Sequence, residues 1–180
     1  WSAKIAEMLE LALPLEITQE VLAYFPVQNE RINHTIGHMP VMIDYHDLAN
    51  PFYTLPQVDV PGVKVGWHHV GTETDADART AASPHILEGI QGWVSQIYPH
   101  LLPDPIQVDT CLYSNTPDYH FVLDHHPTYD NVVIGAGFSG HGFKFGPVLG
   151  DLLAALALDE APAIALDAFR IGRFAEGNLE

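Results

Sequence analysis

The order of its predicted elements places this 180-residue chain in the α+β class, with a mostly antiparallel sheet and helices packed against it. Three observations predict this class. Short β-prone runs separated by turn residues follow one another in the first part of the chain. Apolar residues recur at helical spacing in three other segments. A glycine-rich loop joins a strand to the last of these helices.

Up to Pro99, the chain is predicted to hold one helix, four strands and a second helix. Residues 1–11 form an amphipathic helix that Pro14 ends. The strands are expected at residues 17–25, 41–45, 52–55 and 63–67. Ser83 and Pro84 then supply an N-cap and a first helical residue, and apolar residues continue this helix to about Pro99.

The second half is predicted to contain three strands and a closing helix. The strands are expected at residues 108–113, 121–123 and 131–134. The closing helix carries an apolar stripe, formed by Val148, Leu149, Leu152, Leu153 and Leu156. No internal repeat, low-complexity tract or flexible linker is visible in the sequence.

The glycine-rich loop, residues 135–145, is the most informative segment of the chain. It holds four glycines within eight residues, so its backbone can adopt positive φ and approach a ligand closely. The helix behind it offers N–H groups without helical partners and a partial positive charge. Since the loop also carries His141 and Lys144, we expect it to lie against a cofactor or a substrate carboxylate. A glycine-rich connector without a ligand is the alternative interpretation.

Composition and charge limit the partners of the protein. The chain has 23 acidic and 7 basic residues and a net charge of −16, which argues against nucleic acids and anionic membranes. No apolar run approaches the roughly 20 residues of a membrane helix, and no secretory signal is visible. The single cysteine, Cys111, excludes an internal disulfide. We therefore expect a cytoplasmic protein with neither a nucleic acid nor a membrane as partner.

Eleven histidines raise the question of a metal site. Adjacent histidines occur twice, at positions 68–69 and 125–126. Neighbours on a strand point to opposite faces, so each pair is expected to supply one ligand at most. Neither a His-Glu-x-x-His motif nor a cysteine pair is present. The sequence therefore predicts no metal.

Several motifs in order resemble one enzyme family. Residues 111–121 read Cys-Leu-Tyr-Ser-Asn-Thr-Pro-Asp-Tyr-His-Phe, and residues 141–145 read His-Gly-Phe-Lys-Phe. Together with Tyr53 and residues 62–68, they resemble the C-terminal half of monomeric sarcosine oxidases and N-methyl-tryptophan oxidases. These are FAD-dependent amine oxidases of the D-amino-acid oxidase superfamily, and the resemblance covers nearly the whole chain.

The resemblance implies a division into three segments. These are the end of a first FAD-domain segment, a substrate domain and a C-terminal FAD-domain segment, at residues 1–13, 14–113 and 114–180. The family's Gly-x-Gly-x-x-Gly fingerprint belongs to an N-terminal Rossmann half that this sequence lacks. We therefore expect a part of a longer protein, which binds FAD weakly alone and associates with itself or with the missing half.

The resemblance also implies a reaction and the residues that carry it. The family oxidises a secondary or N-methyl amino acid to an imine and reduces O₂ to H₂O₂. Cys111 corresponds to the covalent attachment point of FAD. Lys64 corresponds to the lysine that activates oxygen, and Lys144 to the lysine that pairs with the substrate carboxylate.

Further matches complete the implied site. Tyr53 and Tyr113 correspond to residues that line the substrate pocket and act in catalysis. His68 and His141 correspond to residues near the flavin and the amine, where His141 orients the substrate. The implied FAD contacts in the loop, besides Lys144, are Gly137, Phe138, Ser139, Gly140, Gly142 and Phe143.

Other interpretations stay open for these residues and for the chain. Cys111 can be an inert buried thiol, and Lys64 can be a lysine at a sheet edge. Tyr53 can be an ordinary core or edge residue. For the whole chain, the alternative is a non-catalytic, truncated relative that serves as a binding or interaction domain.

Overall fold

The computed structural model describes residues 1–28 and 31–176, and it confirms the α+β class. The helices are α1 (Ser2–Met8), α2 (Pro84–Ile97), α3 (Gly146–Ala157) and α4 (Arg173–Glu176). The strands are β1 (Glu16–Phe25), β2 (Met42–Asp44), β3 (Phe52–Leu55), β4 (Val63–Trp67), β5 (Thr72–Glu73), β6 (Gln107–Asn115), β7 (Val122–His125) and β8 (Val133–Ala136). Within these residues, no helix has the length and apolar composition that crossing a bilayer requires.

Most elements lie where the sequence predicts them, and β3 and β4 match residue for residue. The short strand β5 is not predicted, because two exposed polar residues carry no apolar pattern. The sequence predicts that the glycine loop leads directly into α3, and this prediction is wrong. A 3₁₀ helix, Phe143–Phe145, lies between them.

The main sheet places β2, β3, β4 and β1 side by side in that order, each antiparallel to its neighbour. β1 also pairs with β5 and β6, while β7 and β8 form a separate hairpin. Lys64 lies on β4, between β3 and β1. The interpretation of Lys64 as an edge lysine is therefore wrong.

The chain divides into two compact units. We call residues 18–112 the sheet unit, and residues 1–17 with 113–180 the loop unit. The functional domains that the resemblance implies have similar but not identical limits, and they stay a prediction.

The sheet unit has its core between one face of the sheet and α2. Ile86, Ile90 and Val94 share one face of this helix and pack with buried side chains of β1, β3 and β4. In this core, the Phe52 ring stacks on the rings of two tryptophans. Its centroid lies 5.2 Å from that of Trp67 and 4.7 Å from that of Trp93.

The loop unit has its core where α3 packs on the β7–β8 hairpin. The predicted stripe supplies Leu149, Leu152 and Leu156, which pack with Phe121 and Leu123. Val148, expected on the same apolar face, is instead 42% exposed. The arc of α3 that the hairpin covers is therefore narrower than the stripe.

An ion pair of the loop unit holds its C-terminal segment in place. The Arg173 guanidinium donates to both carboxylate oxygens of Asp118, over 2.7 and 3.1 Å, and to the carbonyl oxygen of His120. The side chains of Arg173 and Asp118 are only 5% and 3% exposed. Sequence reasoning missed this pair because 55 residues separate its members.

Candidate functional site

Lys64 projects from the sheet face opposite α2. Its neighbours Val63 and Val65 are fully buried in the core under α2, and alternate residues of a strand point to opposite faces. In the sheet register, Lys64 lies between Tyr24 of β1 and Leu55 of β3. The lysine is half-buried, so part of its side chain is exposed on that face.

Tyr53 lies on the same face, and Gly66 makes room for it. The two residues are directly opposite each other in the β3–β4 register. A Cβ atom on Gly66 would come within 2.4 Å of Cζ of the tyrosine, so the ring rests on the bare glycine backbone. The His68 ring meets the Tyr53 ring edge to face at 6.1 Å. The sheet unit thus brings together the predicted residues Tyr53, Lys64 and His68.

The histidine pair at positions 68–69 departs from the prediction. β4 ends at Trp67, and His69 has a φ of +61°. The chain is therefore not a strand here, and the two rings lie together with centroids 3.8 Å apart. The expectation that His68 and His69 point to opposite faces is wrong for this reason. Nowhere in residues 1–28 and 31–176 do three His, Cys, Asp or Glu side chains form a group able to hold a metal.

Cys111 lies on β6 as a half-buried free thiol. Burial raises the pKa of this thiol, and the negative charge of Glu20 raises it further. The positive charges of Lys64 and Arg79 act in the opposite direction. The thiol is therefore reachable but not activated in the described part of the chain.

Glu20 is a buried acid that sequence reasoning missed. It is 2% exposed, and its carboxylate accepts a hydrogen bond of 2.6 Å from the Thr18 hydroxyl. Burial raises the pKa of Glu20, although that bond and the N–H groups of Val70 and Gly71 oppose the shift. A carboxylate within a predicted strand, directly before the apolar run of residues 21–25, was the available signal, since carboxylates are seldom fully buried without a partner.

Glu20→Gln is expected to make Cys111 more reactive. The neutral amide keeps the shape of the side chain but removes the negative charge, so the pKa of the thiol falls. Iodoacetamide should then alkylate Cys111 roughly 2–10-fold faster at neutral pH, because each pKa unit changes the thiolate fraction about tenfold. Intact mass over time measures the rate. Glu73→Gln, at an exposed position on β5, is the control, and equal rates in both variants would contradict the electrostatic link.

The glycine loop of the loop unit has the positive φ angles that the sequence predicts. Gly137 and Gly140 have φ values of +62° and +73°, and Ser139 between them also has a positive φ. The buried Tyr113 ring packs against Gly140, where a Cβ atom would lie 2.2 Å from its Cε2. Gly142 leaves space for the Phe138 ring in the same way. Glycine is therefore required here for packing as well as for backbone conformation.

Gly140→Ala is expected to lower the free energy of unfolding by about 1–3 kcal/mol. The new methyl group strains a positive φ and displaces the Tyr113 ring. Gly150→Ala is the matched control, because Gly150 is exposed in α3 with open space around it. This second change should stabilise the protein by up to about 1 kcal/mol. Urea unfolding of both variants measures the difference, and equal effects would contradict the packing role of Gly140.

Lys144 and His141 occupy different surroundings within the loop unit. Lys144 is exposed, and its Nζ lies 5.0 Å from the centroid of the Phe145 ring. His141 is half-buried, and its Nδ1 lies 2.8 Å from the Ser139 carbonyl oxygen. The His141 ring is 4.9 Å from that of Phe121, and both line an apolar cavity of about 340 Å³.

The predicted site residues therefore fall into two groups. Tyr53, Lys64, His68 and Cys111 belong to the sheet unit. Tyr113, Lys144 and the other predicted loop residues belong to the loop unit, including Gly137, Phe138, Ser139, Gly140, His141, Gly142 and Phe143. The roles of all these residues stay predictions.

Comparison with known sequences finds relatives over nearly the whole chain. The profile of a family described as "FAD dependent oxidoreductase" matches residues 1–156. The chain is 35% identical over 182 residues to peroxisomal sarcosine oxidase of Homo sapiens, an alignment that covers 97% of this chain and 46% of that protein. It is 31% identical over 176 residues to monomeric sarcosine oxidase of Arthrobacter sp. (strain TE1826), with 96% and 45% covered.

A solved structure supports the fold. Iminodiacetate oxidase from Chelativorans sp. BNC1 superimposes with a TM-score of 0.70 over 93% of this chain and 43% of that chain. At 18% identity, this similarity concerns the fold alone. The chain spans about half the length of the curated relatives it matches.

Proposed function

The chain belongs to the FAD-dependent oxidoreductase family, and on this basis we propose that it is part of an FAD-dependent amine oxidase. The substrate is a secondary or N-methyl amino acid, which is oxidised to an imine while O₂ is reduced to H₂O₂. The observation that carries the proposal is the family match over residues 1–156, together with sequence relatives named sarcosine oxidase. Because the chain spans about half of those relatives, the activity is that of a longer protein.

The chemistry of the residues fits a flavin. Cys111 offers a half-buried sulfur for a covalent link, and Lys64 offers a cation on an accessible sheet face. The first N–H groups of the 3₁₀ helix Phe143–Phe145 lie at the exposed end of the glycine loop, where they suit an electron-rich ring edge. FAD, when bound, accepts two electrons from the amine and passes them to O₂.

The chain's own residues bind and orient the reactants. Lys64 provides positive charge where O₂ takes up negative charge, and Lys144 pairs with the substrate carboxylate. Tyr53 and Tyr113 line the substrate pocket, and their rings are held by Gly66 and Gly140. Cys111 carries the covalent link to FAD.

Partners and location follow from the same proposal. The exposed apolar side chains of Met8 and Phe143 suit contact with the remainder of a longer protein or with a second copy. The same exposure favours the second candidate function, a non-catalytic interaction domain. The cytoplasmic location stays a prediction, and the human relative is named as peroxisomal.

The test is the intact mass of the denatured native protein with an absorbance scan of the same sample. A mass increased by one FAD, with visible flavin bands that survive denaturation, supports the oxidase and the covalent link. Cys111→Ser should retain the colour before denaturation and lose the added mass. A colourless chain of 19.8 kDa that takes up no added FAD would show that this chain is not an active oxidase by itself, and would favour the interaction domain.

A further inference from the structure

Ser139 has an unusual backbone conformation for its residue type. Its φ is +45°, a region that non-glycine residues seldom adopt, and its side chain is 1% exposed. Such a conformation costs about 1–3 kcal/mol and persists only when the surroundings enforce it. The contacts of Ser139 therefore show what enforces this conformation of the loop.

Hydrogen bonds fix Ser139 through both its backbone and its hydroxyl group. Its N–H donates to the Ser114 carbonyl oxygen at 3.0 Å. Its Oγ donates to the Gly137 carbonyl oxygen at 3.2 Å and accepts from the Thr116 N–H at 3.3 Å. The Thr116 hydroxyl lies 3.4 Å from the same Oγ and is equally buried. The serine hydroxyl thus has its hydrogen-bond partners inside the loop.

The fixed carbonyl oxygen of Ser139 determines the protonation pattern of His141. The Nδ1 atom of His141 lies 2.8 Å from this oxygen, and a carbonyl can only accept a hydrogen bond. Nδ1 must therefore carry the proton, and in the neutral ring Nε2 holds a lone pair. Within residues 1–28 and 31–176, no protein group forms a hydrogen bond with Nε2 of His141.

We propose that Ser139, held by Thr116, is a positioning residue that sets the tautomer of His141, so that Nε2 accepts a hydrogen bond from an N–H group of the amine ligand. The second half of this statement rests on the proposed oxidase function. It narrows the ligand to amines that carry at least one N–H, because a lone pair on Nε2 offers nothing to a fully substituted nitrogen. The first half concerns this chain alone and needs no cofactor.

The tautomer is measured by long-range ¹H–¹⁵N correlation of the histidine rings, at a pH where the rings are neutral. His141→Gln assigns the signals of this ring among the eleven histidines. We expect an unprotonated, far-downfield ¹⁵N signal at Nε2 in the unchanged protein. In Ser139→Ala the ¹⁵N chemical shift of Nε2 should move upfield to the intermediate value of a tautomer mixture. In Thr116→Val it should move in the same direction by a smaller amount.

Ser114→Ala is the matched control. Its hydroxyl is buried in the loop unit and makes no hydrogen bond with the described residues, so its removal should leave the His141 signal unchanged. A protonated Nε2 in the unchanged protein overturns the proposal. So does an unchanged signal in Ser139→Ala when the amide spectrum remains that of a folded protein.

The ligand half is tested on the flavin-loaded protein with two probes. N-methylglycine should shift the Nε2 signal, and N,N,N-trimethylglycine, which has the same carboxylate and no N–H, should not. Equal shifts with both probes, or no shift with either, overturn the acceptor role. If the flavin-loaded protein does not oxidise amines although His141 has the Nδ1–H tautomer, the result counts against the proposed oxidase function alone. Failure of the tautomer proposal and failure of the oxidase proposal are therefore distinguishable.

Discussion

Arg173→Ala is expected to lower the free energy of unfolding by about 3–5 kcal/mol. The substitution leaves the buried carboxylate of Asp118 without its bidentate partner and the His120 carbonyl oxygen without a donor. A buried charge that loses its partner keeps its full desolvation cost. Removing one member of such a pair is therefore more destabilising than replacing both members with apolar residues. Urea unfolding at neutral pH measures the loss.

The same pair predicts a specific acid sensitivity. Burial opposes ionisation of Asp118, but the Arg173 guanidinium and the His120 N–H outweigh it and lower the pKa to about 2. Because this value lies below the ordinary 3.8, the contribution is complete above about pH 4 and is lost as the pH falls towards 2. It amounts to about 2 kcal/mol. In Arg173→Ala this part of the pH dependence should be absent.

Arg170→Ala is the control for both effects. Arg170 also pairs with a carboxylate, that of Asp124 at 2.6 Å, but its side chain is 40% exposed. Solvent screens such a pair, so its loss should cost about 1 kcal/mol or less. If the Arg170 and Arg173 variants were equally destabilised, burial would not be what makes the Arg173 pair strong.

Lys64→Met is expected to have the largest effect on activity in the complete, FAD-loaded protein. If Lys64 supplies positive charge to O₂, its removal should slow O₂ consumption by the reduced enzyme about 10²–10³-fold. Anaerobic bleaching of the flavin absorbance by the amine should change only a few-fold. Stopped-flow absorbance separates the two half-reactions, and equal slowing of both would exclude this role for Lys64.

Lys144→Met provides the matched comparison, because it removes the same charge from the other unit. Loss of a charged contact with the substrate carboxylate should raise KM about 10–100-fold and leave the reaction with O₂ nearly unchanged. An unchanged KM would remove Lys144 from the substrate site.

Local patterns explain why much of the fold could be predicted. Turn residues on either side of β-prone runs indicated the limits of β3 and β4, and the Ser83–Pro84 pair indicated the start of α2. The resemblance to sarcosine oxidases is confirmed by relatives that are 35% and 31% identical to this chain. Contacts between residues far apart in the sequence could not be predicted, since no local pattern around Asp118 indicates that it pairs with Arg173.

The residue types of the candidate site could be predicted, but the residues that hold the site side chains in place could not. Positive φ at Gly137 and Gly140 follows from glycine chemistry. That Gly66 underlies Tyr53 depends on the register between two strands, which sequence patterns do not fix. The bond from His141 to Ser139 depends on a strained serine, where local preference would have placed a glycine.

The ring stack around Phe52 gives the protein a built-in optical reporter. Trp67 and Trp93 lie in the sheet unit, whereas Trp1, the third tryptophan, is exposed in the loop unit. Because Trp67 and Trp93 are less exposed than Trp1, they should emit at shorter wavelengths. The shorter-wavelength part of the tryptophan emission therefore reports on the sheet unit. A destabilising change in the loop unit, such as Arg173→Ala, will move this emission only if the two units unfold cooperatively. One fluorescence curve set beside far-ultraviolet circular dichroism thus measures how strongly the two halves of the chain depend on each other.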